Sequence, residues 1–244
     1  MHHQAHRSLA RALLVGGLVA LATATAYVTL AGSLAAAFTT LATYAVISAL
    51  VYSARGRLPD LPLSLASRLT LTRATITAAL AGLCAEPRLA VQLAWWTLVV
   101  AAVELALDAA DGALARRRNE ASAFGARFDG EIDALFVLVL SVLAFHHGRS
   151  EGAPGAFVLG IGAFRYALLA GALALPFLRG EVPSSLRAKI ICNVAIGALL
   201  FCVAPFTPVV LRTPVAAAAL VLLAWSFSFD VRYLRRLRAR GSPR

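Results

Sequence analysis

The sequence predicts an all-α fold: a polytopic membrane bundle of about eight transmembrane helices. Three observations predict it. The 244-residue chain is 60% hydrophobic and 14% charged, with mean hydropathy +0.77, whereas soluble domains carry about 45–50% apolar and about 25% charged residues. Apolar runs of roughly 20 residues, the length that crosses a bilayer, recur along the chain. Lysine and arginine collect in alternate loops, as they do on the cytoplasmic side of membrane proteins.

The expected spans are about 9–30, 33–53, 69–85, 89–108, 131–147, 154–177, 189–206 and 212–229. His2, His3, His6, Arg7 and Arg11 precede or open the first, which resembles a signal peptide, but a second apolar run follows at once and favours a retained span. Segment 57–68 is amphipathic and too short to span, so it is expected to lie in the membrane interface. From Arg232 onward a basic helical tail is expected against anionic lipid. Trp95, Trp96 and Trp225 read as lipid-facing packing, and His146 and His147 as plain loop residues. Cys84, Cys192 and Cys202 lie in or beside apolar runs without metal-ligand spacing, and read as small core residues.

Nineteen of the 23 cationic residues fall on one side of this topology, three on the other, and Arg165 lies inside a span. That asymmetry places both termini in the cytoplasm, in a multi-pass protein of the cell membrane. The net charge of +11 and pI of about 10.9 come from arginines between apolar runs. Their partners are therefore membrane lipid head groups rather than nucleic acid. A homodimer is the assembly left open.

Seven of the twelve acidic residues crowd into 104–133: Glu104, Asp108, Asp111, Glu120, Asp129, Glu131 and Asp133. Ionisable side chains at membrane depth are costly and mark functional sites. Like charges this dense call for a bound cation. Asp108 and Asp111 are three apart at the end of one span, and Asp129 and Asp133 four apart at the start of the next. Each spacing puts a pair on one helix face. Gly112 and Gly125 leave room for a close approach. Two facing carboxylate pairs make an all-oxygen cage suited to Mg²⁺ or Mn²⁺, with substrate phosphate completing the shell. Two such ions clamp the attacking and leaving oxygens of a displacement at phosphorus. Arg116, one turn beyond Gly112, is placed for phosphate. Any one of these carboxylates alone would read as a solvated helix end; the set in register does not.

The stretch resembles the signature of the CDP-alcohol phosphotransferase family, Asp-x2-Asp-Gly-x2-Ala-Arg-x8-Gly-x3-Asp-x3-Asp. Asp108, Asp111, Gly112, Ala115, Arg116, Gly125, Asp129 and Asp133 match every fixed position. The resemblance implies a six-helix core over 57–230, an added N-terminal helix pair over 1–56 and a basic tail over 231–244. It implies that Asp108, Asp111 and Asp129 bind two divalent ions, Mg²⁺ or Mn²⁺, with Asp133 sharing the site and acting as general base. A metal-bound carboxylate is a weak base, so Asp133 must stay clear of full coordination. Gly112, Ala115, Arg116 and Gly125 would hold the cytidine diphosphate part of the donor.

Weaker matches flank the signature. Residues 66–73 are similar to the family's Pro-Asn-x-Leu-Thr-x-x-Arg with Pro and Asn replaced; Thr70 and Arg73 survive as donor contacts, against the alternative of a helix start with a snorkelling arginine. Lys189 alone survives of a Gly-Lys-x-x-Thr element. Arg165, Arg187 and Lys189 suggest a pocket for a phosphorylated acceptor; the alternative pairs Arg165 with Glu104 and leaves the other two as topology residues.

The expected activity is phosphatidyl transfer from CDP-diacylglycerol to a small phosphorylated alcohol, of the glycerol phosphate or inositol phosphate type, with release of CMP. Serine, a second lipid or a CDP-linked small alcohol are the alternatives within the family. A cation transporter is the rival from another class. It would spread its acids along a pathway through several spans, whereas here they sit at one end of two consecutive helices.

Overall fold

The computed structural model describes residues 2–53, 65–118, 123–175 and 186–241, without the side chains of 2–7, 65–67, 111–118, 123, 124, 126, 127, 186 and 237–241. Most of the interfacial segment expected over 57–68 lies outside these residues. All described elements are helical: α1 (His2–Ala31), α2 (Leu34–Ser53), α3 (Leu65–Leu83), α4 (Pro87–Gln92), α5 (Ala94–Arg118), α6 (Ala123–Glu151), α7 (Leu159–Ala174), α8 (Leu186–Val203) and α9 (Val209–Gly241). A 3₁₀ turn, Ala156–Val158, leads into α7.

Among the described residues, four helices are long and apolar enough to cross a membrane: Ser8–Ala31, Leu34–Ser53, Ala156–Ala174 and Val209–Arg236. The chain is a multi-pass helical membrane protein. Trp95, Trp96 and Trp225 are exposed on the protein surface, as lipid-facing residues are.

Three boundaries differ from expectation. The span read over 89–108 is broken at Leu93, whose N–H bonds the carbonyls of both Leu89 and Val91, and α5 begins anew at Ala94. The helix then continues ten residues past Asp108 to Arg118, so the first half of the acidic motif is helical rather than loop. The basic tail is the end of α9 rather than a separate element.

The chain forms two compact units, Met1–Val139 and Leu140–Arg244. In the first, α1 and α2 form a hairpin against α3. Gly32, at φ +65°, ends α1 by donating to the Val28 carbonyl while Ser33 N–H bonds Tyr27 O, and Ser33 Oγ then caps α2 through Ala36 N–H at 3.2 Å. The Tyr27 hydroxyl donates to Ala79 O on α3 at 2.8 Å, and the Tyr44 hydroxyl to Leu13 O at 2.5 Å. At Gly82 a Cβ would meet the Thr40 hydroxyl, the Tyr27 ring and the Ala36 carbonyl, so α3 and α2 approach as closely as a missing side chain permits. Leu9, Ile47, Val51, Leu71, Ala74, Ala78 and Ile132 form the apolar core that joins α1, α2, α3 and α6.

In the second unit a buried ion pair ties the end of α6 to the start of α9. Arg212 is 1% exposed; its Nη1 lies 2.7 Å from Glu151 Oε2, and its Nη2 donates to the carbonyls of Thr207 and Ala204 at 3.2 and 3.3 Å. Arg212 is thus not the solvated loop charge that residue counting makes of it. His147, expected in a loop, is buried in the last turns of α6 with Nδ1 3.6 Å from Glu151.

Candidate active site

Three helices of the first unit build the site. α3 carries Thr70, Arg73 and Thr77; α5 carries Glu104, Asp108 and Asp111; α6 carries Gly125, Asp129 and Asp133. Arg73 and Thr77 stand one turn apart on α3, as do Glu104 and Asp108 on α5 and Asp129 and Asp133 on α6.

Arg73 is 2% exposed and points into the cluster of carboxylates. Its Nη1 lies 2.8 Å from Asp108 Oδ1 and 2.5 Å from Asp129 Oδ1, and its Nη2 donates to Asp133 Oδ1. The planar guanidinium fork suits such multiple recognition. The three carboxylates keep 34, 38 and 32% of their side-chain surface exposed, so the cluster has a dry side holding Arg73 and an open side facing out. The arginine neither snorkels nor faces outward. The repulsion among the acids is therefore relieved in part from within the protein, and not by a bound cation alone as the sequence suggested.

One turn deeper, Glu104 is fully buried, and Thr77 Oγ1 donates to its Oε1 at 2.8 Å. Thr77 is thus a partner of Glu104 within the first unit. Glu104 Oε2 and Arg73 Nε are buried without a hydrogen-bond partner among the described residues.

The carboxylate oxygens of Asp108, Asp129 and Asp133 lie within 4.8 Å of one another. An all-carboxylate donor set of this size fits a hard divalent cation. The guanidinium already lodged there shows that the cluster accepts positive charge. Asp111 follows Asp108 on the same helix; its side chain and those of Ala115 and Arg116, and the surroundings of Gly112, lie outside the described residues. Thr70 is buried one turn before Arg73, and Gly125 is half-buried in the first turn of α6.

The three cations expected at the acceptor belong to the second unit. Arg165 is exposed on α7 and Lys189 on α8. Arg187, also on α8, is 2.8 Å from Asp230 Oδ1 and stacks 4.5 Å from the Phe229 ring centroid. Sequence reasoning passed over Thr77 and Asp230. Thr77 carried no signal, being one threonine among several on α3. Asp230 did carry one: it is the sole acid in the sequence of α9, immediately before a run of arginines.

A family model described as CDP-alcohol phosphatidyltransferase matches residues 63–229, about two thirds of the chain. That stretch runs from α3 into α9, as far as Phe229, and leaves α1 and α2 outside. Searches of curated proteins and of solved structures give no match.

Proposed function

On the premise that the chain belongs to the CDP-alcohol phosphatidyltransferase family, we propose that it transfers a phosphatidyl group from CDP-diacylglycerol to the hydroxyl of a small phosphorylated alcohol. The family reaction is transfer from a CDP-linked donor to an alcohol. The observation that carries the reading is the convergence of Asp108, Asp129 and Asp133 within 4.8 Å. Those residues and Asp111 would hold divalent cations, Mg²⁺ or Mn²⁺ and two in number, which when bound supply charge neutralisation at the transferring phosphorus.

The chain's own residues do the rest. Asp133 takes the proton of the acceptor hydroxyl. The acceptor oxygen then bonds to the diacylglycerol-bearing phosphorus as the P–O bond to CMP breaks, and its electron pair leaves with CMP. In the cation-free site Arg73 engages Asp133 through Oδ1. Gly112, Ala115, Arg116 and Gly125 position the cytidine diphosphate, with Thr70 beside them. Arg165, Arg187 and Lys189 bind the acceptor phosphate; the pairing with Asp230 fixes the direction of Arg187.

Eight spans, with the motif and both termini in the cytoplasm, complete the reading. The arginine asymmetry of the loops supports it. Incubating the purified protein with labelled CDP-diacylglycerol and a panel of alcohols tests the whole. Release of CMP with a phosphorylated acceptor, and formation of the matching lipid, is the expected result; CMP release only with an uncharged alcohol such as serine would reject the acceptor assignment.

A further inference from the structure

Arg73 and a divalent cation are rivals for the same three carboxylates. A doubly charged ion held by these three carboxylates would stand beside the guanidinium that already engages them, and the two would repel. Arg73 is 2% exposed, so it has no ready path to water. A buried charge that loses its partners needs others nearby.

Among the described residues, Glu104 is an acceptor suited to the task. Glu104 is fully buried on α5, one turn before Asp108, and reaches α3 through Thr77, which is one turn from Arg73. Thr77 occupies only Oε1. Oε2 has no hydrogen-bond partner among the described residues, and neither has Arg73 Nε. Two unpartnered buried polar atoms of opposite kind thus lie on neighbouring turns of packed helices. Asp108 and Arg73 make one rung between α3 and α5; Glu104 and Thr77 make the rung below it.

We propose that Glu104 is the alternative partner of Arg73: when a divalent cation enters the Asp108–Asp129–Asp133 cluster, the guanidinium turns from those carboxylates toward Glu104 Oε2. Glu104 is then a positioning residue for cation loading and touches neither substrate nor ion. The inference rests on the divalent-cation reading of the cluster.

The test is Mg²⁺ binding by isothermal titration calorimetry on the full chain in detergent, without substrate. Glu104→Gln keeps the acceptor for Thr77 and removes the charge that receives Arg73. It should weaken Mg²⁺ binding about tenfold or more, since an acceptor for a buried charge is lost. Arg73→Gln removes the rival cation and should tighten binding by a similar factor. In the Arg73→Gln background, Glu104→Gln should change the Kd by less than about twofold, because coupling vanishes when one partner is gone. A merely structural Glu104 would not show this dependence on Arg73. Unchanged Mg²⁺ affinity in Glu104→Gln, an effect that persists without Arg73, or weaker binding in Arg73→Gln each overturns the proposal. Should Glu104→Gln not fold, Glu104→Asp, which withdraws the carboxylate by one methylene, replaces it with the same expectations. No Mg²⁺ binding by the unaltered chain would instead remove the divalent-cation reading beneath it.

Discussion

Arg73 on α3 and Asp108 on α5 are joined by an ion pair of 2.8 Å, and the same guanidinium reaches Asp129 and Asp133 on α6. One buried cation thus fastens together the two halves of a motif that spans 26 residues of the chain. Breaking a buried ion pair leaves an uncompensated charge and costs about 3–5 kcal/mol; here the carboxylates are about one third exposed, which lowers the cost. Arg73→Gln should therefore lower the thermal midpoint in EDTA by several degrees. Mg²⁺ should raise the midpoint of the variant more than that of the unaltered protein. An unchanged midpoint in EDTA would mean that Arg73 contributes nothing to the packing of the three helices.

Asp133→Asn keeps the size of the side chain and removes its basicity. General-base catalysis contributes about 10²–10⁴-fold. Turnover should fall by that order while binding of the CDP donor is largely kept. A variant retaining more than about a tenth of the rate would show that another group takes the proton.

Arg165→Ala should raise the acceptor KM about ten- to a hundredfold, the equivalent of roughly 1.5–3 kcal/mol for a hydrogen bond to a charged group. The donor KM should hardly move, since α5 and α6 carry the residues assigned to that end. Equal effects on both constants would assign Arg165 to the fold or to the donor.

Gly82→Val places a branched side chain where even a Cβ meets the Ala36 carbonyl and the Tyr27 ring. Overpacking of this kind costs about 1–3 kcal/mol. The thermal midpoint should drop, and activity should drop with it, because α3 carries Arg73. A variant as stable as the parent would show that α2 and α3 are not closely packed there.

Much of this architecture is legible in the sequence because its causes are local. Apolar run length sets the helices, and spacings of three and four put Asp108 with Asp111 and Asp129 with Asp133 on single faces. What could not be read depends on packing. A lone arginine in an apolar helix can reach for lipid head groups or turn inward. The choice for Arg73 is made by three carboxylates on two other helices. The bond from Thr77 to Glu104 could not be read because Thr77 is an ordinary threonine until α3 and α5 are packed. The break at Leu93 carries no glycine or proline of its own; Glu86 and Pro87 start the short α4, and α5 begins again only at Ala94. The burial of His147 and Arg212 follows from Glu151, which sits between them only once α6 meets the α8–α9 turn.

The central claim is that Asp108, Asp111, Asp129 and Asp133 perform CDP-dependent transfer with a divalent cation. The most direct measurement is CMP release from CDP-diacylglycerol and a phosphorylated alcohol by the purified chain, before and after chelation. The account predicts that EDTA abolishes release and that added Mg²⁺ or Mn²⁺ restores it. Full CMP release in metal-free buffer would contradict it.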